Sequence, residues 1–214
     1  MSEAKGSAVM IGPGRPDSAA DLARLQCAIL PDSRMSLLGE AYVEACYRYF
    51  LDSPQEFVLA AESQGRIVGG AFVSLVPHSL SRRLLFHTPL LPAMARRPFG
   101  PAARRIMSDM LRPDPVPSTI RELPEMVAIF VESSQRGAGV GEMICRAAED
   151  ELARRRAAAY VVRTENDPGN RALAFYHRLG FVVEPRQPAT NPSTRLVYLT
   201  KPLPSPAGEP TTGG

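Results

Sequence analysis

A short glycine-rich segment, residues 136–141, carries the clearest chemical signal in the sequence. It reads Arg-Gly-Ala-Gly-Val-Gly and lies between an apolar run and a stretch with helical periodicity. The first N–H groups of a helix have no intrahelical partner, and the helix dipole is positive there. Glycine lets a ligand approach the main chain, and Arg136 adds a guanidinium. The segment therefore predicts a binding site for phosphate groups.

Two common phosphate-binding patterns do not fit this segment. The nucleotide loop G-x-x-x-x-G-K requires a lysine, and none is present here. The dinucleotide pattern G-x-G-x-x-G also fails, because Glu142 or Ile144 stands where the third glycine is needed. The pattern R-x-x-G-x-G remains. The alternative is a glycine-rich turn that only connects a strand to a helix.

The elements around the segment follow from hydrophobic periodicity. Residues 126–131 form an apolar run that predicts a strand, and residues 140–156 have the spacing of an amphipathic helix. A strand at 160–164 and a short helix at 172–179 are predicted to follow. Further strands are predicted at 8–11, 57–61, 66–75, 181–183 and 196–199, and further helices at 21–30 and 37–50.

The length of 214 residues suits one domain, and 44% hydrophobic residues suit a globular core. The ends, rich in proline, glycine and serine, predict flexible tails at 1–17 and 202–214. A single domain is expected over 18–201. Residues 77–121, rich in proline and arginine, are interpreted as an insertion with one or two short helices, around 102–111.

Charge and cysteine content exclude several classes of protein. The 25 basic and 22 acidic residues leave a net charge of +3, which argues against a general nucleic-acid binder. No apolar run has the length of a membrane span, and the first residues lack a secretory pattern. Cys27, Cys46 and Cys145 lie apart, away from the histidines. They predict reduced core thiols, no metal site and a cytoplasmic location. The oligomeric state stays open, a homodimer included.

Residues 170–181 resemble the second signature of the GNAT N-acetyltransferase superfamily. They read Asn-Arg-Ala-Leu-Ala-Phe-Tyr-His-Arg-Leu-Gly-Phe, similar to N-x-x-A-x-x-F-Y-x-x-x-G-F. Residues 126–141 resemble the family's acetyl-CoA motif, which ends in R/Q-x-x-G-x-G/A. The resemblance covers 57–75 and 122–200, and it does not cover 77–121. One departure is that the family's asparagine position falls on Gly169.

The resemblance implies an α/β fold with a mixed, mainly antiparallel central sheet and helices on both faces. The fourth and fifth strands would splay apart and admit the pantetheine arm of acetyl-CoA, the co-substrate. The pyrophosphate would bind the amides of residues 136–141. The flanking Asn166 and Asn170 could each supply the missing amide, or neither. The residues expected to bind acetyl-CoA are these two together with Ile129, Phe130, Val131, Arg136, Gly137, Ala138, Gly139, Val140, Gly141 and Tyr176.

Acetyl transfer to an amine requires a base, because a lysine-like amine with a pKa of about 10 is mostly protonated in neutral solution. Glu125 occupies the position of the glutamate used by the histone-acetylating branch of the family, and Glu122 is the reserve. The resemblance places the Tyr176 hydroxyl at the thioester sulfur. The alternatives are a solvated charge at Glu125 and a packed aromatic ring at Tyr176.

The implied reaction is direct attack of a primary amine on acetyl-CoA in a ternary complex. No cysteine lies near the proposed catalytic groups, so a covalent acyl-enzyme is not expected.

The arginines of the insertion favour a small anionic acceptor, such as a nucleotide-linked amino sugar, over a protein. They could also form a solvated surface or meet an acidic partner or a membrane surface. Alternative functions are protein N-terminal or lysine acetylation and a non-catalytic acyl-CoA-binding module. The arginines are Arg82, Arg83, Arg96, Arg97, Arg104, Arg105 and Arg112.

Overall fold

A seven-stranded sheet with the order β1-β2-β3-β4-β5-β7-β6 organises the part of the chain that the structure describes. The computed structural model describes residues 8–86, 116–167, 169–185 and 196–204. The mixed, mainly antiparallel sheet with helices on both faces confirms the expected fold class. The strands are β1 (Met10–Pro13), β2 (Glu56–Ser63), β3 (Arg66–Ser74), β4 (Glu125–Val131), β5 (Ala159–Glu165), β6 (Val182–Val183) and β7 (Leu196–Pro202). The helices are α1 (Ala19–Ile29), α2 (Glu40–Asp52), α3 (Pro77–Phe86), α4 (Val140–Arg154) and α5 (Arg171–Arg178).

The strands β4 and β5 are parallel neighbours that separate soon after they meet. Only Glu125 with Val161 and Met126 with Val162 are paired between them. Beyond these pairs, residues 127–131 of β4 and 163–165 of β5 diverge. The predicted splay between the fourth and fifth strands is therefore confirmed, and it leaves one edge of β4 without a strand partner over five residues.

Two helical layers cover the sheet. On one face α4 buries an apolar stripe at four-residue spacing, Val140, Ile144, Ala148 and Leu152, mainly against β2, β3 and β4. On the other face α1 and α2 pack their aromatic and aliphatic side chains on β2, β3 and β4. Met143 lies outside this stripe and is 40% exposed.

The first part of the insertion forms a helix at a position that the periodicity did not predict. In α3 the side chains of Leu80 and Leu84, four residues apart, enter the core beneath α2. Arg83 forms an ion pair with Glu56, whose side chain has no exposed surface, and its Nε donates to the hydroxyl of Tyr49 at 3.2 Å. One of the seven arginines is thus a structural anchor rather than part of a solvated basic surface.

The last part of the insertion packs on the same face of the sheet as α1 and α2. Ile120 forms a small buried cluster with Val161 of β5 and Tyr198 of β7. Thr119 donates from its hydroxyl to the buried carboxylate of Glu184 at 3.1 Å. The insertion is therefore attached to the core at both of its described ends. The helix expected near 102–111, and the arginines at 96, 97, 104, 105 and 112, lie outside the described residues.

The strand β1 lies before residue 18, where the sequence placed the start of the domain. The strand β1 pairs with β2 from Met10 to Pro13 and forms one edge of the sheet, two residues beyond the predicted strand at 8–11. Cys27, Cys46 and Cys145 form no disulfide bond. Within the described ranges, no helix is both long and apolar enough to cross a membrane.

Candidate active site

The glycine-rich loop lies where β4 leads into α4, as the sequence predicted. A single 3-10 turn, Ser133–Gln135, follows β4, and Gly137 and Gly139 adopt left-handed backbone angles, with φ of 83° and 79°. Only glycine takes these angles without strain. A Cβ atom at either residue would meet nothing within 4 Å. The outer surface of the loop is therefore open to a ligand.

Backbone N–H groups converge at the start of α4. Gly139 is the N-cap residue, and no side chain caps the helix. Among the described residues, the N–H groups of Gly137, Gly139, Val140 and Gly141 donate no hydrogen bond. The exposed Arg136 precedes them. Unpaired donors, a helix dipole and a guanidinium form a site suited to a pyrophosphate.

The third glycine of the loop has a packing role. A Cβ atom at Gly141 would lie 3.3 Å from Cζ of Phe175 and 3.9 Å from Cγ2 of Val131. The ring of Phe175 therefore covers the first turn of α4 beside the end of β4. The Phe175 ring thus packs α5 against the loop, and glycine at position 141 leaves room for the ring.

Asn170 holds the beginning of α5 against the end of β5. Its Oδ1 accepts from the N–H of Ala172 at 2.9 Å, and its Nδ2 donates to Thr164 Oγ1 at 2.8 Å and to the Glu165 carbonyl at 2.7 Å. The amide is thus engaged as an N-cap. Asn166 is exposed on the loop after β5. Contacts of either asparagine with acetyl-CoA stay predictions.

Tyr176 lies on the inner face of α5. Its side chain is buried, with ring centroids 5.4 Å from Phe175 and 5.2 Å from Phe181. Burial raises the pKa of Tyr176 above its ordinary value, so the hydroxyl stays protonated in neutral solution. No described residue forms a hydrogen bond with this hydroxyl. It is therefore a buried proton donor without a protein partner in the described structure.

A β-bulge sets the direction of Glu125. Phe72 pairs with Ala128 and Val73 with Met126, so Val127 is an extra residue in β4. A bulge reverses the alternation of side chains along a strand. Glu125 is consequently turned to the face shared by Val161 and the α1–α2 layer, while Ile129 and Val131 remain on the α4 face.

The carboxylate of Glu125 is largely buried at the point where β4 and β5 separate. Its side chain is 10% exposed, and its Oε1 accepts from Arg163 Nε at 2.5 Å. Glu122, the reserve base, is 78% exposed, with its Oε2 4.0 Å from His78 Nδ1. The structure therefore brings Glu125, and not Glu122, to the apex of the splay.

Two residues of this site were not selected from the sequence. The sequence shows Phe175 only as part of a motif and Arg163 only as a member of the predicted strand 160–164. A single arginine in the otherwise apolar run 160–163 was the available signal for Arg163, because a charge inside a buried strand needs a partner.

Cys145 and possible metal ligands are the remaining groups to consider in the described part of the site. Burial raises the pKa of Cys145 to about 12, which keeps this thiol protonated in neutral solution. Among the residues described, no group of three or more histidine, cysteine, aspartate or glutamate side chains could hold a metal ion.

Solved structures of N-acetyltransferases have the same fold. The ribosomal-protein-S18-alanine N-acetyltransferase from Escherichia coli aligns with a TM-score of 0.57 at 13% identity, over 95% of this chain and 98% of its own. Aminoglycoside 6'-acetyltransferase type Ii aligns with a TM-score of 0.59 at 16% sequence identity, and the alignment covers 92% of this chain and 99% of the other. A structure described as histone acetyltransferase HPA2 and related acetyltransferase, from Corynebacterium glutamicum, aligns with a TM-score of 0.60 at 16% sequence identity. The alignment covers 94% of this chain and 99% of the other. The fold is thus of the N-acetyltransferase class.

The family assignment rests on the sequence itself. The profile of the Acetyltransferase (GNAT) family matches residues 26–181, which include the loop, Glu125 and Tyr176. The chain belongs to this family and is an acetyltransferase. The family uses acetyl-CoA as co-substrate. A comparison with curated protein sequences returned no match.

Proposed function

We propose that the protein transfers the acetyl group of acetyl-CoA to a primary amine by direct attack in a ternary complex. The observation that carries this function is the set of N–H groups at Gly137, Gly139, Val140 and Gly141 that donate no hydrogen bond among the described residues, next to the open edge of β4. These groups fit a pyrophosphate, and Ile129, Phe130 and Val131 line the splay that would take the pantetheine arm. Acetyl-CoA supplies the activated thioester.

Glu125 acts in this scheme as the general base. The amine arrives protonated, and a buried carboxylate at the apex of the splay accepts its proton before the attack. The open loop and the acid lie at opposite ends of the divergent segment of β4, residues 125 and 136–141. A thioester extended along this strand would bring its carbonyl towards Glu125.

A direct reaction is favoured over a covalent acyl-enzyme. The only cysteine near α5 is Cys145 among the described residues, and its thiol is buried, with its pKa raised to about 12. A protonated thiol is a poor nucleophile. The lack of a disulfide among Cys27, Cys46 and Cys145 also supports a reducing, cytoplasmic location.

Tyr176→Phe is expected to lower kcat about tenfold, because a positioned proton donor to the leaving thiolate is lost. The midpoint of thermal unfolding should stay the same, because the hydroxyl has no partner among the described residues. Tyr160→Phe is the matched control. Its hydroxyl donates to Glu149 at 2.7 Å, so this change should lower stability and leave kcat within about twofold. Full activity of Tyr176→Phe would exclude its role.

The acceptor is proposed to be a small molecule, such as an amino sugar or a nucleotide-linked amino sugar. The arginine-rich insertion supports an anionic acceptor, because its described ends attach to the face on which Glu125 lies. The fold is shared by enzymes named for aminoglycoside and for ribosomal-protein acetylation, so a protein N-terminus or a lysine is the second candidate.

Calorimetric titration with acetyl-CoA, followed by thiol release over amines, amino sugars and peptides, tests the proposal. We expect binding of acetyl-CoA and turnover with at least one small amine. Turnover only with peptides would transfer the function to protein acetylation. Binding without turnover across the panel would instead indicate an acyl-CoA-binding module, and absence of binding at millimolar concentration would exclude the site.

A further inference from the structure

An ion pair crosses the gap between β4 and β5 where the two strands separate. Glu125 of β4 is paired with Val161 of β5. Arg163 lies one residue beyond Val162, which is the last residue of β5 that pairs with β4. The Arg163 side chain is 28% exposed and reaches back to Glu125, with Nε 2.5 Å from Oε1. It therefore joins the two strands at the apex of the splay.

A second contact fixes Arg163 from the opposite side. Arg163 faces Tyr198 of β7 in the register of the sheet, and its guanidinium carbon lies 5.9 Å from the centre of that ring. Tyr198 is itself buried with Ile120 and Val161. The guanidinium is thus held between an aromatic ring and a carboxylate, which restricts its orientation.

The pairing uses one oxygen of the Glu125 carboxylate. Oε1 accepts from Arg163, and no described residue donates a hydrogen bond to Oε2. A largely buried carboxylate with one oxygen unsatisfied costs free energy unless a ligand completes it. A substrate ammonium group is a donor that would do so.

We propose that Arg163 is a positioning residue for Glu125. It binds Oε1 and thereby fixes the plane of the carboxylate, so that Oε2 takes the proton of the acceptor amine. The proton moves from the ammonium nitrogen to Oε2, and the nitrogen lone pair becomes free for attack. This inference rests on the proposed function, in which Glu125 is the base.

Arg163→Met tests the inference through kcat rather than through stability alone. We expect kcat to fall about tenfold, because a misplaced base loses its near-attack geometry. The KM for acetyl-CoA should stay within about twofold, since Arg163 lies away from the glycine-rich loop. In a Glu125→Gln background, Arg163→Met should change the residual kcat by less than about twofold, because its effect passes through the carboxylate.

Arg155→Met is the matched control. Arg155 also forms an ion pair, with Glu151 at 2.6 Å, and its guanidinium carbon lies 5.3 Å from the centre of the Phe57 ring. Both contacts are at the far end of α4, away from the splay. This variant should lose a comparable amount of thermal stability and retain kcat within about twofold of the wild type.

Three results would overturn the inference. The first is an Arg163→Met variant with wild-type kcat, and the second is an equal loss of kcat in the presence and absence of the Glu125 carboxylate. The third is a loss confined to the acetyl-CoA KM. If Arg163→Met does not fold, Arg163→Lys tests the inference instead, because lysine keeps the charge and moves the donor. The same two measurements apply: kcat of the single variant and kcat in the Glu125→Gln background. Absence of turnover in the wild type would contradict the proposed function instead.

Discussion

Glu125→Gln is expected to lower kcat by about 100-fold or more, the range in which a general base contributes to proton transfer. The glutamine side chain keeps the volume of the carboxylate and cannot accept the amine proton at neutral pH. Binding of acetyl-CoA should remain within about twofold of the wild type, because Glu125 lies at the opposite end of β4 from the glycine-rich loop. Steady-state kinetics at saturating amine, with calorimetry for acetyl-CoA, measure both quantities.

Glu122→Gln is the control for this prediction. Glu122 lies three residues earlier and is the competing base, but its side chain is 78% exposed. Its replacement should leave kcat within about twofold of the wild type. A large loss at Glu122 together with full activity of Glu125→Gln would reverse the two roles.

Gly139→Val is expected to raise the Kd for acetyl-CoA about 100-fold. Gly139 is the N-cap residue of α4, with φ of 79°, and a β-branched residue avoids this angle. Relief of the strain would turn the N–H groups of residues 139–141 away from the pyrophosphate. A hydrogen bond to a charged group contributes about 1.5–3 kcal/mol, so the loss of two accounts for the expected factor.

Gly65→Val is the matched control for the loop. Gly65 also has a left-handed angle, with φ of 73°, and open space around its missing Cβ, but it lies in the turn between β2 and β3. Both variants should lose about 1–2 kcal/mol of stability from backbone strain. Only Gly139→Val should weaken the binding of acetyl-CoA, as measured by calorimetric titration. An unchanged Kd for Gly139→Val would remove the loop from the binding site.

The sequence was sufficient for the elements that carry strong periodicity or a motif. The strand β4, the loop and α4 lie where they were predicted, because a buried strand, alternating glycines and a four-residue apolar stripe are local signals. The splay of β4 and β5 came from the family resemblance. Nothing in residues 126–131 distinguishes a strand that pairs on both edges from one that separates from its neighbour.

The parts that sequence did not predict depend on contacts between distant residues. The bulge at Val127 is invisible in a run of apolar side chains, since both faces of β4 are buried and no alternation exists to be broken. The position of helix α3 was not predicted because residues 77–121 as a whole are rich in proline and arginine, although Pro77 at the first position of the helix is a known start signal. The pair of Arg163 and Glu125 joins residues separated by 38 positions.

The two attachments of the insertion have a consequence for how this enzyme could change its specificity. Arg83 and Glu56 fix the chain before residue 87, and Ile120 and Thr119 fix it after residue 115, both over the face that carries Glu125. The cost of closing a loop rises by only about 0.6 kcal/mol when its length doubles. We therefore expect the segment between the two anchors to tolerate changes in its length or sequence. In the proposed reaction, such changes would alter the choice of acceptor and leave β4 and β5 in place.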